Sequence, residues 1–352
     1  MSEAENEFIQ DARQPCAEVS MTARKLTCGI AMCTCNGAAY LGAQLSSLIE
    51  QTRLPDSIAI SDDRSDDGTW DVLNAWAAEV RSVHAIQVVL MRNETRLGVT
   101  RNFEQAIGAL DTDIIFLADQ DDIWANNKIE MLAGTLETDS DVLLVHSDAF
   151  LIDEDGADIG RSLFEALYLT SADRELARQQ RFFEVYCRRN LVTGTTAAFR
   201  RKLLELALPF PDTWIHDEWL AACAAAWRRV AMLPDKLTFY RQHGRNVIGV
   251  PAGRLSLLVR YVRRVLEIPR DDYLAGKINR LGALHKRLDE TSLARDDAQV
   301  LLVEAEQHFI RRRAFNRRFP SRLVSIIRES RRNGYRRFAD GAAGMLRDII
   351  DL

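Results

Sequence analysis

Three aspartates within four positions, in the segment FLADQDDIW (residues 116–124), are the residues of this sequence best suited to chemistry. They follow an apolar run, and carboxylates this close repel one another unless water or a cation separates them. Helix capping is one explanation, in which Asp121 or Asp122 would favour the positive end of a following helix. Capping leaves a third aspartate unexplained, whereas a divalent cation that also holds an anionic diphosphate would account for it.

A second acidic cluster lies in AISDDRSDDGTW (residues 59–70), again directly after an apolar run. Turn formation and capping account for Asp66 and Asp67, which precede a glycine and a helix-like segment. They leave Asp62 and Asp63 unexplained. A carboxylate at this position is suited to accept hydrogen bonds from a nucleotide base or from ribose hydroxyls.

A third polar segment, CTCNGAAYL, supplies Thr34 and Asn36 after the first apolar run. Aspartate, threonine and asparagine at three such positions indicate a crevice for a nucleoside diphosphate. The sequence contains neither GxGxxG nor GxxxxGK[ST], which argues against a dinucleotide site of the Rossmann type and against a P-loop.

The elements that position these clusters follow from the hydrophobic pattern, in which short apolar runs alternate with helix-like segments. The strand-like runs lie at residues 26–33, 57–61, 86–91, 113–118 and 141–147. Such alternation predicts an α/β fold with a mostly parallel sheet covered on both faces. Ligands of these sheets bind outside the carboxyl ends of the strands, where all three clusters fall.

The pattern changes after residue 147. AFLIDEDGADI predicts a hairpin, TTAAFRR and LTFYRQH predict strands, and DEWLAACAAAWRR predicts a helix. The remainder is helical by periodicity and broken near Pro269 and Pro320. We therefore predict a disordered lead-in at residues 1–23, an α/β domain at 24–250 and a basic helical region at 251–352.

Composition narrows the class of protein. No apolar run approaches the ~20 residues that a membrane-spanning helix needs, and the acidic start has no apolar segment of the kind found in secretion signals. The six cysteines form no CxxC pair and no zinc-site spacing. They are typical of buried thiols in a reducing cytoplasm.

Two later segments carry further candidates. In PDTWIHDEWL, His216, Asp217 and Glu218 begin a helix, where acids are favoured by the helix dipole alone. One of these carboxylates is also a candidate to take a proton from a hydroxyl group. His243, in FYRQHGRN, follows a predicted strand; a lone histidine is more often a packed or surface residue than a ligand.

Taken together, these segments resemble glycosyltransferase family 2, the inverting nucleotide-sugar transferases with the GT-A fold. Residues 33–70 are similar to the family's opening, and FLADQDDIW resembles its DxD motif as found in bacterial rhamnosyltransferases. HDEW and YRQHGRN match later motifs in order and spacing. The resemblance covers residues 26–250 and extends weakly into GYRRFADGAAGMLRD near the C-terminus.

The resemblance implies a role for each matching residue. Asp217 would be the catalytic base, with Glu218 as the second choice, and Asp121 and His243 would bind Mg²⁺ or Mn²⁺. Asp119 would reach the ribose, or the metal through water, and Asp122 would keep the capping role. The donor would contact Thr34, Asn36 and Asp62, and its diphosphate would meet Arg241 or Arg245.

Departures from the family pattern leave two points open. Cys35 stands where the family usually has tyrosine, which predicts weaker stacking on the base. The loop RNETRLGVTRNFE is shorter than the common version. The sequence therefore does not decide whether Arg101 or Lys128 touches the diphosphate.

The resemblance implies transfer of a sugar, with L-rhamnose from dTDP-rhamnose as the first expectation, to a lipid-linked bacterial surface glycan such as O-antigen or capsule. A metal-dependent phosphohydrolase is an alternative, but that class would place a nucleophilic aspartate where this chain has Cys33, Thr34 and Cys35. A catalytically inert protein that binds nucleotide sugars is another; Asp121, Asp217 and His243 argue against it.

Charge is distributed unevenly. Residues 254–352 carry a net charge of +9 and residues 1–253 carry −14, and eleven arginines but a single acid lie between Gln307 and Phe338. A solvated basic face is the plain explanation, and nucleic-acid binding is opposed by the acidic remainder and the lack of a recognition motif. The arginines alternate with apolar residues, which favours peripheral contact with the anionic cytoplasmic leaflet. The apolar residues are Phe309, Ile310, Phe315, Phe319, Leu323, Ile326, Ile327 and Phe338.

Overall fold

A computed structural model of the chain describes residues 25–244, 267–316, 318–339 and 341–350. The predicted lead-in at residues 1–23 and Arg245 lie outside the described residues. Within these ranges the chain forms a nine-stranded sheet. Helices pack on both of its faces, each over its own apolar core.

The first half of the chain alternates strands and helices, as predicted. Its parallel strands are β1 (Cys28–Thr34), β2 (Ser57–Asp62), β3 (Gln87–Arg92) and β4 (Ile114–Ala118). Its helices are α1 (Ala38–Ile49), α2 (Thr69–Val83), α3 (Val99–Gly108) and α4 (Lys128–Thr138). The strands lie in the order β3-β2-β1-β4, with β1 at the centre.

Strand β1 is buried on both faces, and this explains its continuous apolar sequence. Ile30 and Met32 join the core on one side of the sheet, and Ala31 and Cys33 join the core on the other. Successive side chains of a strand point to opposite faces, so a strand covered on both sides shows no polar alternation.

The strand ends bring the predicted polar clusters to one edge of the sheet. In the parallel register, Thr34 of β1 lies beside Asp62 of β2, and Met32 lies beside Ala118 of β4. The segments that follow β1, β2 and β4 therefore emerge side by side. The predicted convergence of these three segments is confirmed.

The second half of the sheet mixes strand directions. It comprises β5 (Ile123–Trp124), β6 (Val142–Ile152), β7 (Asp158–Ser162), β8 (Ala197–Arg200) and β9 (Arg229–Arg241). β8 pairs antiparallel with both β4 and β6, whereas β6 and β9 are parallel. The predicted hairpin is confirmed as β6–β7, and β9 begins well before the predicted segment LTFYRQH.

Short helices connect these strands, and longer helices form the C-terminal region. The connecting helices are α5 (Leu163–Ala166), α6 (Ser171–Arg178), α7 (Phe182–Tyr186), α8 (Leu204–Ala207) and α9 (His216–Trp227). The C-terminal helices are α10 (Arg270–Thr291), α11 (Asp296–Arg313), α12 (Phe319–Arg331), α13 (Gly334–Phe338) and α14 (Ala342–Ile350). Pro269 directly precedes α10 and Pro320 lies in the first turn of α12, where proline is tolerated because its missing N–H has no helical partner.

The C-terminal helices share a core with the sheet. Leu281 and Leu284 of α10 belong to the same apolar cluster as Trp219 of α9, and the Trp214 indole N–H donates to the Arg280 carbonyl at 2.9 Å. The region is thus packed against the α/β part of the chain. The predicted boundary at residue 250 lies outside the described residues and stays a prediction.

The structure corrects the predicted exposure of several residues in the basic region. Phe309, Ile326 and Phe338 are buried, so they are unable to contact a membrane surface. Arg312 is fully buried and bonded to Asp348. Pattern alone assigned these residues to the surface, whereas their long-range partners place them inside. Among the described helices, we find none with the length and apolarity required to span a bilayer.

Candidate active site

Asp121 and His243 come together at the predicted edge of the sheet. His243 Nε2 lies 2.7 Å from Asp121 Oδ2, and the two side chains are 8% and 14% exposed. Asp121 belongs to the turn after β4, and His243 follows the end of β9. The pairing of β5 with β9, which aligns Ile123 with Phe239, brings these two segments together.

Arg241 supports the turn that contains Asp119, Asp121 and Asp122, which we call the aspartate turn. Its backbone N–H donates to Asp122 Oδ1 at 2.9 Å, and its Nε donates to the Asp121 carbonyl at 2.8 Å. Its Nη1 donates to the carbonyl oxygens of Asp153 and Glu154 in the β6–β7 turn. These contacts give Arg241 a positioning role, and its predicted contact with a diphosphate stays a prediction.

Asp122 does not cap a helix, contrary to the prediction. Strand β5 follows the aspartates, and α4 begins only at Lys128, with Asn127 at its N-cap and no side-chain cap bond. Asp122 is instead fully buried and accepts the Arg241 N–H. Burial, and then the neighbouring Asp121, raise its pKa to about 7. The capping prediction failed because the intervening strand pairs with a segment far along the chain.

Asp119 experiences the negative charge of the whole cluster. Burial raises its pKa well above the ordinary value, and Asp122, Asp121 and Asp217 raise it further. A cation would relieve this repulsion, and the effect of Asp217 shows that the predicted base lies within electrostatic reach of the aspartate turn.

Lys128 points into the protein. It is fully buried, its Nζ donates to the Thr195 carbonyl and, at 2.9 Å, to Thr238 Oγ1, and it lies 3.7 Å from the centre of the Trp124 ring. Burial lowers its pKa, and Asp122 and Asp119 oppose that effect. We therefore assign Lys128 to the support of the turn rather than to the diphosphate.

Arg101, the other residue that the sequence left open, lies on α3 with its guanidinium already paired. It contacts Glu104 at 2.6 Å and Asp212 at 2.7 Å. Partly exposed ion pairs of this kind are weak, so a diphosphate could compete with them for Arg101. The two existing carboxylate partners nevertheless mean that the structure does not favour contact between Arg101 and a diphosphate.

The predicted nucleotide contacts Thr34 and Asp62 touch each other. Thr34 Oγ1 donates to Asp62 Oδ1 at 2.9 Å, and Ser65 donates to both Asp62 oxygens through its hydroxyl and its backbone N–H. Asn36 Oδ1 accepts the backbone N–H of Asp66 at 2.9 Å. These bonds join the loops after β1 and β2 into one surface.

Asp63 has a structural explanation that the sequence did not reveal. Its Oδ1 accepts from Asn93 Nδ2 at 3.0 Å and from the Leu97 N–H at 2.7 Å, and its Oδ2 accepts from the Gly98 N–H at 2.9 Å. A carboxylate that accepts three hydrogen bonds organises the loop before α3, and it needs no ligand.

Gln120 is a site residue that the sequence reasoning missed. Its Oε1 accepts the Cys35 N–H at 2.8 Å and its Nε2 donates to the Cys35 carbonyl at 3.1 Å. The amide thus ties the aspartate turn to the loop after β1. Gly37 permits the close approach, because a Cβ there would lie 2.1 Å from Gln120 Oε1. The position of Gln120 between Asp119 and Asp121 was the signal in the sequence that could have identified it.

Asp217 has the properties of a general base. Its Oδ2 accepts the Gly194 N–H at 2.9 Å and its Oδ1 accepts the Glu218 N–H at 2.7 Å. Burial raises its pKa to about 6, although these bonds and Arg280 oppose the shift. A carboxyl group with this pKa is deprotonated at neutral pH yet remains basic enough to take a proton.

Glu218, the second choice, is less suited to that task because its carboxylate forms an ion pair with Arg280. His216 is buried and stacks on Phe103 with ring centres 3.8 Å apart. Burial lowers the His216 pKa to about 3, so this residue adds no charge beside Asp217 at neutral pH.

Two of the predicted metal ligands, Asp121 and His243, lie side by side. Among the described residues, no three histidine, cysteine or acidic side chains lie close enough to hold a metal by themselves. Asp121 and His243 do lie together and offer one oxygen and one nitrogen, a donor pair that suits Mn²⁺. Mg²⁺ and its relatives often take few protein ligands and complete their shell with water and substrate phosphates. The pair fits a metal shared with a diphosphate.

Two sequence relatives are informative. The chain is 26% identical over 246 residues to dTDP-rhamnosyl transferase RfbG of Shigella flexneri, covering 66% of this chain and 77% of that protein. It is 25% identical over 214 residues to the uncharacterized glycosyltransferase alr2836 of Nostoc, covering 60% and 63%. The match thus spans less than two thirds of the Nostoc protein.

Solved structures agree on the architecture. The mannosyltransferase PcManGT of Pyrobaculum calidifontis, in complex with GDP-Man and Mn2+, is similar with a TM-score of 0.50 at 16% identity over 99% of this chain and 92% of that chain. S. aureus TarS in complex with UDP-GlcNAc has a TM-score of 0.50 at 16% identity over 88% and 92%. These likenesses confirm the predicted GT-A fold. The sequence model of Glycosyl transferase family 2 matches residues 29–206, half of the chain, and the protein therefore belongs to this family of glycosyltransferases.

Proposed function

We propose that this glycosyltransferase transfers a sugar from a nucleotide-sugar donor with inversion of configuration at the anomeric carbon, and that Asp217 is the base. The position and the pKa of Asp217 are the observation that carries the proposal. Its carboxylate is partly buried, is oriented by two backbone N–H groups and acts electrostatically on Asp119 across the site.

In this mechanism Asp217 takes the proton of the acceptor hydroxyl while that oxygen attacks the anomeric carbon. The bond from the anomeric carbon to the diphosphate breaks in the same displacement, and no covalent intermediate on the protein is needed. The backbone N–H groups of Gly194 and Glu218 orient the carboxylate through the reaction.

Donor binding is assigned to the edge of the sheet. Asn36 would meet the nucleoside, with Thr34 and Asp62, which are buried, supporting the surface beneath it, and Asp119 and Arg241 would lie toward the ribose and diphosphate. Asp121 and His243 would hold Mg²⁺ or Mn²⁺, which when bound would stabilise charge on the departing diphosphate. The contact between Asp121 and His243 supports this placement.

The proposed donor is dTDP-L-rhamnose, and the proposed acceptor is a lipid-linked cell-surface glycan such as O-antigen or capsule. The relative named as a dTDP-rhamnosyl transferase supports the donor. A third relative, 29% identical over 113 residues that cover 32% of this chain and 33% of that protein, is named abequosyltransferase RfbV, from Salmonella typhimurium. We further propose that the protein acts at the cytoplasmic face of the membrane, attached peripherally through its basic C-terminal region.

Thermal-shift measurements with a panel of nucleotide sugars, each with Mn²⁺, test the donor. A ligand that binds the folded state raises Tm by mass action. We expect dTDP-rhamnose to give the largest shift, followed by transfer to a lipid-linked acceptor. Hydrolysis of a phosphate ester without any shift from nucleotide sugars would instead favour a phosphohydrolase.

A further inference from the structure

Helix α12 buries two charged residues and exposes three aliphatic ones. Arg322 and Glu329 are buried, together with Ile326. Leu323, Val324 and Ile327 are 38%, 55% and 45% exposed. At 3.6 residues per turn these three side chains lie on one face of the helix. An ordinary surface helix buries its aliphatic residues, whereas α12 exposes these three beside Arg328 and Arg331.

Helix α14 repeats the pattern. It buries Arg347 and Asp348 and exposes Leu346, Ile349 and Ile350, which are 49%, 37% and 44% exposed. The two helices pack against each other. We call their six exposed aliphatic residues the C-terminal apolar surface; they are Leu323, Val324, Ile327, Leu346, Ile349 and Ile350.

Buried ion pairs explain why the polar sides face inward. Asp348 accepts hydrogen bonds from Arg312, at 2.7 Å, from Arg270, at 2.9 Å, and from the Tyr335 hydroxyl. Glu329 accepts two hydrogen bonds from Arg311, each at 2.9 Å. These bonds hold Glu329 and Asp348 inside, so the described residues of the two helices expose no acid beside their aliphatic side chains.

The same burial leaves the exterior positively charged. Within the described residues 318–339 and 341–350, the acids are Glu329 and Asp348, and both are buried. The exposed ionic groups are arginines: Arg318, Arg328, Arg331, Arg332, Arg336 and Arg337. Arg328 and Arg331 lie one helical turn after Val324 and Ile327, on the aliphatic face of α12.

We propose that the C-terminal apolar surface docks on an anionic lipid surface. Aliphatic side chains would enter the boundary between headgroups and acyl chains, and the neighbouring arginines would meet lipid phosphates. A protein partner would be served equally well by aliphatic residues alone, so the exposed arginines of the described residues 318–339, of which Arg337 pairs with Glu304, favour lipid. The proposal deepens the proposed function, which supplies a membrane-bound acceptor, but binding to lipid is measured without donor or acceptor.

Flotation of the full chain tests the aliphatic component, with vesicles of phosphatidylethanolamine and phosphatidylglycerol compared with phosphatidylcholine alone. The double variant Val324→Ser/Ile327→Ser should lose at least about tenfold in partitioning to the anionic vesicles. The matched control is Val300→Ser/Val303→Ser on α11, which removes residues 62% and 42% exposed outside the surface. That control should float like the wild type.

Charge is tested with Arg328→Gln/Arg331→Gln, which should weaken partitioning roughly fivefold per arginine removed. Lys202→Gln/Lys286→Gln removes two cations elsewhere and should have little effect. Raising the salt concentration should weaken binding of the wild type. Circular dichroism and Tm establish that every variant is folded before flotation.

Three results would overturn the proposal: no flotation with either vesicle, equal flotation with both, or surface variants that float like the wild type. Light scattering in solution provides one more test. A dimer that Val324→Ser/Ile327→Ser dissociates would show that a second copy covers the surface. Failure of the proposed transfer reaction would look different, because flotation would persist while no acceptor received sugar.

Discussion

His243 Nε2 and Asp121 Oδ2 lie 2.7 Å apart although 122 positions separate them in the chain. Two contacts from neighbouring residues bring about this approach: β9 pairs with β5, and the Arg241 N–H bonds to Asp122. Strand pairing therefore brings this carboxylate and this imidazole together at the candidate site. It is the basis of the first prediction.

Removal of divalent metal should abolish transfer, and Asp121→Ala or His243→Ala should remove most activity while the protein stays folded. The pair supplies the two protein donors that a metal shared with a diphosphate would need. Calorimetric titration of Mn²⁺ in the presence of nucleoside diphosphate provides a readout that is independent of turnover. Asp155→Ala, an exposed acid in the β6–β7 turn, is the control. Full activity of metal-free protein in chelator would contradict the assignment.

Asp217→Asn should lower turnover roughly 10²–10⁴-fold, the range expected when a general base is removed. Donor binding, measured by thermal shift, should survive because the base acts on the acceptor. Glu218→Gln should have a much smaller effect, since Glu218 already pairs with Arg280. The opposite order of the two variants would identify Glu218 as the base.

The pH dependence of kcat/KM should show a rising limb with its midpoint near pH 6. Asp217 must be deprotonated to accept a proton, and burial raises its pKa to about 6, so activity falls as pH drops below that value. Arg280 opposes the shift, so Arg280→Met should move the midpoint to higher pH. Initial rates across the range, with protein integrity checked at each pH, would reveal the shift. An unchanged midpoint would show that Arg280 does not influence the group whose titration produces the rising limb.

Gly37→Ala should destabilise the protein by about 1–3 kcal/mol, because the new methyl group would overlap the Gln120 amide. Gln120→Ala removes the overlapping group but also two hydrogen bonds to Cys35. The double variant should therefore be more stable than the sum of the two single changes predicts. Urea unfolding of all four proteins measures the coupling. If the effects of the two single changes simply added, the loop at residue 37 would relax so that the new methyl group does not contact Gln120.

Arg312→Met should lower the free energy of unfolding by roughly 3 kcal/mol or more, because it removes a buried partner of the buried Asp348. Arg318→Met changes an exposed arginine in the same region and should stay within about 0.5 kcal/mol of wild type. Thermal and urea unfolding distinguish the two. If Arg312→Met changed the free energy of unfolding as little as Arg318→Met, the Asp348 network would contribute little to stability.

The sequence by itself determined the architecture of the first half of the chain and the residue types of the site. Continuous apolar strands such as Cys28–Thr34 alternate with amphipathic helices, and that pattern has few solutions other than a parallel sheet covered on both faces. The edge at which Thr34, Asp62 and Asp119 meet follows from that topology. These features are local in the chain, so the sequence displays them.

The tertiary structure alone decided which polar groups are available. Asp63 and Asp122 looked like ligands or caps, yet each accepts a hydrogen bond from a backbone N–H of a distant segment. Gln120 acquired its role through Cys35, 85 positions away. The outward face of α12 likewise depends on the long-range ion pairs of Glu329, and that of α14 on the ion pairs of Asp348. Burial depends on partners brought together by folding, and residue spacing carries no record of those partners.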